Sequence, residues 1–296
     1  MIEIIDQRNI CLTQNVYLKP DYLNHPLISG NKFRKLKYSL LNARELNKNL
    51  LLTFGGAFSN HIAAVAAAGN EFGFNTIGVI RGEELIDKIN DNPTLNFAQK
   101  QGMKLHFVSR DAYKQKTTEL FIDELRSKFG DFYLIPEGGT NNFAIKGCEE
   151  ILTEVDESFD FICCPVGTGG TISGLINASF PNQKILGFPA IKGDFLREEI
   201  SNFATKSNWE LIQKYHFGGY AKINTELISF INEFKNSYNI PLDPVYTGKM
   251  MFGIFELVKQ NYFPEGSKIL AIHTGGLQGI QGMNTLLKSK HLPIIN

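Results

Sequence analysis

An α/β fold of parallel sheets covered by helices is what this sequence predicts. Short β-rich runs alternate with longer helical stretches along the chain, and repeated βα units of this length favour parallel sheets with helical crossovers. A chain of 296 residues that is 43% hydrophobic and 20% charged can fill the core of one large domain or two modest ones.

The units follow in order. The apolar run Leu50-Leu51-Leu52-Thr53-Phe54 ends in Gly55-Gly56, and an Ala-rich segment over Asn60 to Phe72 reads as helix. A strand over Thr76 to Ile80, a helix from Pro93 to Gln101 and a strand over Lys104 to Val108 come next. Thr117 to Phe129 is predicted as helix, Phe132 to Ile135 as strand, and Phe143 to Val155 as helix. The rhythm resumes with strands over Phe159 to Val166 and Lys184 to Phe188, separated by a helix from Thr171 to Ala178. Helices near Thr225 to Lys235 and Gly248 to Gln260 precede the last strand, Ile269 to Ile272. No fixed-period repeat, low-complexity tract or linker rich in Pro, Gly and Ser divides the chain.

Composition excludes several classes. Lys plus Arg and Asp plus Glu both number 30, so the formal charge is zero. Such a balance lacks the positive field that nucleic acid or an anionic membrane requires. No apolar run approaches the roughly 20 residues of a spanning helix. The opening residues, Met1 to Asp6, have neither the basic head nor the apolar body of a secretory signal. Cys11, Cys148, Cys163 and Cys164 form no C-x-x-C pair and read as buried thiols of a reducing cytosol. The six histidines show no metal-ligand spacing, so no metal site is expected.

Ligands of α/β sheets bind past the carboxyl ends of strands, and glycine meets polar residues at three such junctions. Cys163-Cys164-Pro165-Val166 runs into Gly167-Thr168-Gly169-Gly170-Thr171, then a helix. Uncovered backbone N–H groups and threonine hydroxyls at a helix N-terminus make a phosphate cradle. The loop is neither a Walker loop nor the dinucleotide fingerprint, since Ile172 stands where a third glycine belongs. A tight turn without a ligand is the plainer reading. The second junction is Gly55-Gly56-Ala57-Phe58-Ser59-Asn60-His61, where Ser59 or Asn60 could simply cap a helix. The third is Ile272-His273-Thr274-Gly275-Gly276, which could equally be a structural turn. Apart from these lies a basic cluster, Gly30-Asn31-Lys32-Phe33-Arg34-Lys35-Leu36-Lys37. Charge runs usually mark a solvated helix face, but Lys32 and Lys35 are three apart and share one face. One amine could form an imine while the other meets a phosphate.

Taken together, these segments and Asp243-Pro244-Val245-Tyr246-Thr247-Gly248-Lys249 resemble the 1-aminocyclopropane-1-carboxylate deaminase / D-cysteine desulfhydrase family. These are pyridoxal 5'-phosphate enzymes of the tryptophan synthase β type, fold type II. The matching stretches run from Gly30 almost to Gly279. The resemblance implies two domains of open, twisted parallel sheets with helices on both faces and the cofactor between them. The large domain would be residues 1–36 and 146–296, and the small one 37–145. It implies that Lys32 carries the cofactor, and that Lys35 joins Thr168, Gly169, Gly170 and Thr171 around the phosphate. Asn60 would bind the pyridine 3′-oxygen. Ser59 would touch the substrate carboxylate and is also a candidate base or nucleophile. Tyr246 matches the family's active-site tyrosine, and Tyr220 its second one, although the usual Gly-Tyr-Gly is Gly-Tyr-Ala here. A homodimer is the family's common state.

Within the family, the deaminase branch has Glu where this chain has Thr247, Leu where it has Thr274, and Gln where it has His61. All three departures favour the desulfhydrase branch. A carboxylate opposite the ring nitrogen deepens the electron sink, which opening a cyclopropane needs and expelling a thiolate does not. Whether Thr247 or Thr274 faces that nitrogen stays open. The expected activity is β-elimination from D-cysteine to pyruvate, sulfide and ammonia. Deamination of 1-aminocyclopropane-1-carboxylate to 2-oxobutanoate is the alternative, and a non-catalytic binder of a phosphorylated small molecule is a rival from another class.

Overall fold

A computed structural model describes residues 8–296; the opening stretch read above for a signal lies outside the described residues up to Gln7. In chain order the elements are β1 (Ile10–Cys11), β2 (Val16–Lys19), α1 (Asn31–Glu45), β3 (Leu50–Gly55), α2 (Asn60–Phe72), β4 (Asn75–Arg81), α3 (Pro93–Lys100) and β5 (Lys104–Val108). Then come α4 (Arg110–Lys114), α5 (Glu119–Phe129), β6 (Tyr133–Ile135), α6 (Asn142–Glu149), β7 (Phe161–Val166), α7 (Gly170–Ala178) and β8 (Lys184–Pro189). The chain closes with α8 (Phe195–Ser201), β9 (Trp209–Leu211), α9 (Thr225–Tyr238), α10 (Thr247–Lys259), β10 (Ile269–Ile272) and α11 (Gly279–Ser289).

Two sheets result. The larger has the order β1-β2-β10-β7-β8-β9 and is parallel apart from the β1–β2 pair; the smaller, β5-β4-β3-β6, is parallel throughout. Alternate residues of one strand serve opposite cores. In the large sheet Cys163, Leu186 and Ala271 pack under α9 and α10, while Ile162, Cys164, Ile185, Leu270 and Ile272 pack under α7 and α8. In the small sheet Leu51, Ile80 and Ile135 meet α1, α2 and α3, whereas Leu52, Phe54, Ile77 and Val79 meet α4 and α5. Both sheets therefore have helices on both faces. No helix among the described residues is long and apolar enough to cross a membrane.

Local chemistry sets the helix ends. Ser59 caps α2 through Ile62 N–H, and Gly73 ends it in the left-handed region. Asn92 caps α3, with Pro93 at its first position. The helix expected to reach Val155 stops at Glu149, because Thr153 and Asp156 form a capping box that starts a separate turn. The expected domain border at 36/37 falls inside α1, a continuous helix whose Phe33, Leu36, Leu40 and Ala43 sit in the small-sheet core. Cys148, Cys163 and Cys164 are buried thiols, but Cys11, on the antiparallel edge strand, is exposed.

Candidate active site

The carboxyl ends of both sheets open onto one cleft of about 680 Å³. Its walls come from residues after β3, β4 and β6 on one side and after β7, β8 and β10 on the other, with the first turn of α1 between them. That volume suits a cofactor with a small substrate.

Gly30 lets α1 enter the cleft. It has φ of +64°, and a Cβ there would lie 2.0 Å from the carbonyl oxygen of Thr274. Asn31 N–H donates to that carbonyl at 3.1 Å, so the helix start is pinned to the turn after β10. Lys32 and Lys35 project from the same face and converge on one acceptor, the carbonyl of Gly138, at 3.3 and 3.1 Å. Lys35, only 2% exposed, also donates to Thr140 Oγ1 at 3.1 Å and Thr168 Oγ1 at 3.4 Å. Neither amine has a carboxylate partner among the described residues. Burial pulls the Lys32 pKa well below the ordinary lysine range, and the charge of Lys35 pulls it further; burial also lowers Lys35.

The loop after β7 supplies the facing wall. A Cβ on Gly170 would stand 3.0 Å from Lys35 Nζ and 2.9 Å from Thr140 Oγ1, so only glycine leaves this cradle open. Thr171 Oγ1 accepts from Asn31 Nδ2 at 2.8 Å, and Thr168 and Thr140 share a hydrogen bond of 2.7 Å. Two paired amines lacking an acid, beside a glycine-threonine loop at a helix N-terminus, fit a group carrying both an aldehyde and a phosphate.

Ser59, Asn60 and His61 line the cleft after β3. The Ser59 hydroxyl accepts from Ile62 N–H at 3.3 Å. His61 is 2% exposed, and its tautomer follows from its neighbours. The Thr53 hydroxyl spends its hydrogen on the Ile135 carbonyl at 2.8 Å, so His61 Nε2–H donates to Thr53 Oγ1 at 2.8 Å. Nδ1 is then an acceptor, buried and with no hydrogen-bond partner among the described residues. Burial, then the charges of Lys32 and Lys35, push the imidazole well below its usual pKa and keep it neutral.

Tyr246 and Tyr220 close the large-sheet side, their rings edge to face with centroids 6.2 Å apart. The Tyr246 ring lies over Gly167, 3.1 Å from where a Cβ would be. Burial raises both phenols, and Tyr220 adds to the rise at Tyr246. Of the two threonines expected near the ring nitrogen, Thr274 lines the cleft and Thr247 does not. Thr247 is fully buried at the start of α10, with its hydroxyl donating to Asp243 Oδ1 at 2.7 Å and accepting from Asp243 N–H at 2.9 Å.

The site thus gathers Lys32, Lys35, Ser59, Asn60, Thr168, Gly169, Gly170, Thr171, Thr274, Tyr220 and Tyr246. Sequence reasoning passed over Gly138, Thr140 and Arg81. The first two had a signal: Gly138-Gly139-Thr140 follows β6 as glycines follow the other strands.

A model of the family described as "Pyridoxal-phosphate dependent enzyme" matches residues 7–275. The chain belongs to this family. Within these pyridoxal-phosphate enzymes its relatives are those of the aminocyclopropanecarboxylate deaminase and D-cysteine desulfhydrase group. A putative 1-aminocyclopropane-1-carboxylate deaminase of Pyrococcus horikoshii is 32% identical over 288 residues, covering 90% of this chain and 85% of its own. A bifunctional D-cysteine desulfhydrase/1-aminocyclopropane-1-carboxylate deaminase of Arabidopsis thaliana is 30% identical, covering 90% and 73%. The crystal structure of an ACC deaminase homologue superposes with a TM-score of 0.78 at 29% identity, covering 93% of this chain and 88% of its own. An O-acetylserine dependent cystathionine beta-synthase from Helicobacter pylori, 17% identical with a TM-score of 0.63 over 90% and 88% of the chains, shares the fold, which is that of fold type II. The chain is accordingly an enzyme that uses pyridoxal phosphate.

Proposed function

We propose that the enzyme catalyses β-elimination from D-cysteine, giving pyruvate, sulfide and ammonia. The observation that carries this reading is the absence, among the described residues, of an available carboxylate at the glycine turn after β10. Thr274 lines the cleft there, and the nearby Asp243 carboxylate already accepts from the N–H groups of Val245, Tyr246 and Thr247 and from the Thr247 hydroxyl. Glu137, the one acid lining the cleft among the described residues, is engaged by Tyr113 and Lys116. When bound, pyridoxal phosphate supplies an electron sink for charge developing at the substrate Cα. Were the Thr274 hydroxyl to face the ring nitrogen, it would leave that sink shallow, which is enough where a thiolate departs.

The chain's own residues divide the remaining work. Lys35, with Thr168, Gly169, Gly170 and Thr171, would hold the phosphate. Lys32 would hold the cofactor, and its lowered pKa suits its amine to act as a base for the Cα proton. Ser59 and the first N–H groups of α2 receive the substrate carboxylate. Asn60 would orient the ring oxygen. Tyr246, kept protonated by burial, can donate to the departing sulfur, with Tyr220 beside it. Deamination of 1-aminocyclopropane-1-carboxylate is a second reading, supported by relatives that bear that name. Incubating the purified enzyme with each substrate separates the two. Sulfide from D-cysteine without 2-oxobutanoate from the cyclic substrate is expected, and the converse would replace the first reading with the second.

A further inference from the structure

Among the described residues, the charged side chains of the cleft leave one cation over. Lys32 and Lys35 serve the cofactor end, Arg110 donates to Glu84 Oε1 at 2.6 and 3.1 Å, and Glu137 accepts from the Tyr113 hydroxyl at 2.8 Å with Lys116 at 3.4 Å. Arg81 also lines the cleft, and among the described residues it makes no ion pair and no side-chain hydrogen bond. Its place follows from register. It is the last residue of β4, whose Ile80 pairs with Gly55 at the end of β3. One Nη of the guanidinium therefore stands 3.7 Å from the position of a Cβ on Gly56, beside the loop that carries Ser59 and Asn60. The Tyr113 ring backs it, with the guanidinium carbon 5.9 Å from the ring centroid. Arg81 thus lines the cleft beside the loop that carries Ser59 and Asn60.

An α-carboxylate already has donors in Ser59 and the N–H groups that open α2. A free guanidinium next to them adds a second positive point, with a fork geometry suited to an oxyanion. We propose that Arg81 is a specificity residue that takes a second negative charge, borne on the β-substituent of the amino-acid substrate. This deepens the elimination reading and rests on it. A thiolate or a sulfonate there could depart, as sulfide or sulfite, whereas a carboxylate would stay, but each would be drawn to Arg81 where a neutral group would not.

Two amino acids without a leaving group test the assignment by binding alone. Aspartate carries a β-carboxylate and alanine does not. Calorimetric titration of the holoenzyme with the D- and L-forms of each is expected to give aspartate, in one enantiomeric series, a Kd about tenfold or more below that of alanine, as a charge-assisted contact provides. In Arg81→Gln, at an exposed strand end, that preference should vanish while alanine binding stays unchanged. Equal affinities in the wild type, or a variant that weakens both ligands alike, would overturn the proposal; the latter would assign Arg81 to the shared α-carboxylate. Sulfide release from D-cysteine is measured alongside. Its absence with the aspartate preference intact would remove the elimination reading and leave the Arg81 assignment standing.

Discussion

Lys32 and Lys249 are two lysines that burial treats alike and the fold uses differently. Lys32 faces the cleft, where burial lowers its pKa, and it is the amine that the proposed reaction uses. Substituting Lys32→Ala is expected to abolish borohydride-fixed cofactor and to cut activity at least ~10³-fold. Absorbance spectra and peptide mapping check this, and label on Lys35 or Lys37 in the parent protein would move the assignment. Lys249 lies outside the cleft lining at 2% exposure and donates to the carbonyls of His216 and Gly219, at 2.9 and 2.8 Å, just before Tyr220. It holds the turn that presents that tyrosine. Burial lowers its pKa to about 8 from 10.5. Between those values the unfolded chain keeps a proton that the folded chain has lost, so this group's contribution to stability grows as pH rises and is lost as pH falls to about 8. Its slope approaches ~1.4 kcal/mol per pH unit. Denaturant melts at pH 8 and pH 10 should show that increment in the parent protein and not in Lys249→Met.

At the scale of elements, α1, α6 and α7 carry the site because they pack unusually close. A Cβ on Gly147 of α6 would lie 2.0 Å from the Arg34 carbonyl of α1, and one on Gly174 of α7 would lie 2.5 Å from Cys148 Cβ. Arg34 is fixed in turn by the buried Asp21 at 2.6 Å and by the Glu150 carbonyl at 2.9 Å. Pushing α6 away from α1 would therefore move Lys32 and Lys35. Gly147→Ala is expected to destabilise by about 1–3 kcal/mol, the range for overpacking. Cofactor affinity should fall with it, as seen in a denaturant melt and a cofactor titration; an unchanged midpoint would show that the helices have room to shift. Much at this scale was readable. The bounds expected for α2, β5 and β10 are those observed, because caps, glycines and apolar runs mark them locally. The strands β1, β2 and β9 were not, since segments of two to four residues carry too few side chains for a period, and the sheet rather than their own pattern makes them strands.

Across the whole molecule, the two sheets point their carboxyl ends at each other, so one ligand can brace both. The cofactor should then contribute to stability as well as chemistry. Filling its site at a hundredfold excess over Kd stabilises by about 2.7 kcal/mol. Removing it with hydroxylamine is expected to lower the melting temperature by several degrees, and inorganic phosphate should restore part of the loss through the Lys35 cradle; a melt indifferent to both would disconnect that cradle from phosphate. By itself the sequence determined the α/β class, the family resemblance and most of the residues now seen to line the cleft, because glycine turns, caps and the Lys32–Lys35 spacing act within a few residues. Only the tertiary structure decided that Thr274 and not Thr247 faces the cleft, that Gly138 and Thr140 complete the amine cradle, and that Arg81 is left over. Those outcomes depend on which distant acceptor each polar group meets. Thr247 is four residues from Asp243 and is consumed by it, whereas Lys35 and Gly138 lie 103 residues apart and meet only when the sheets converge.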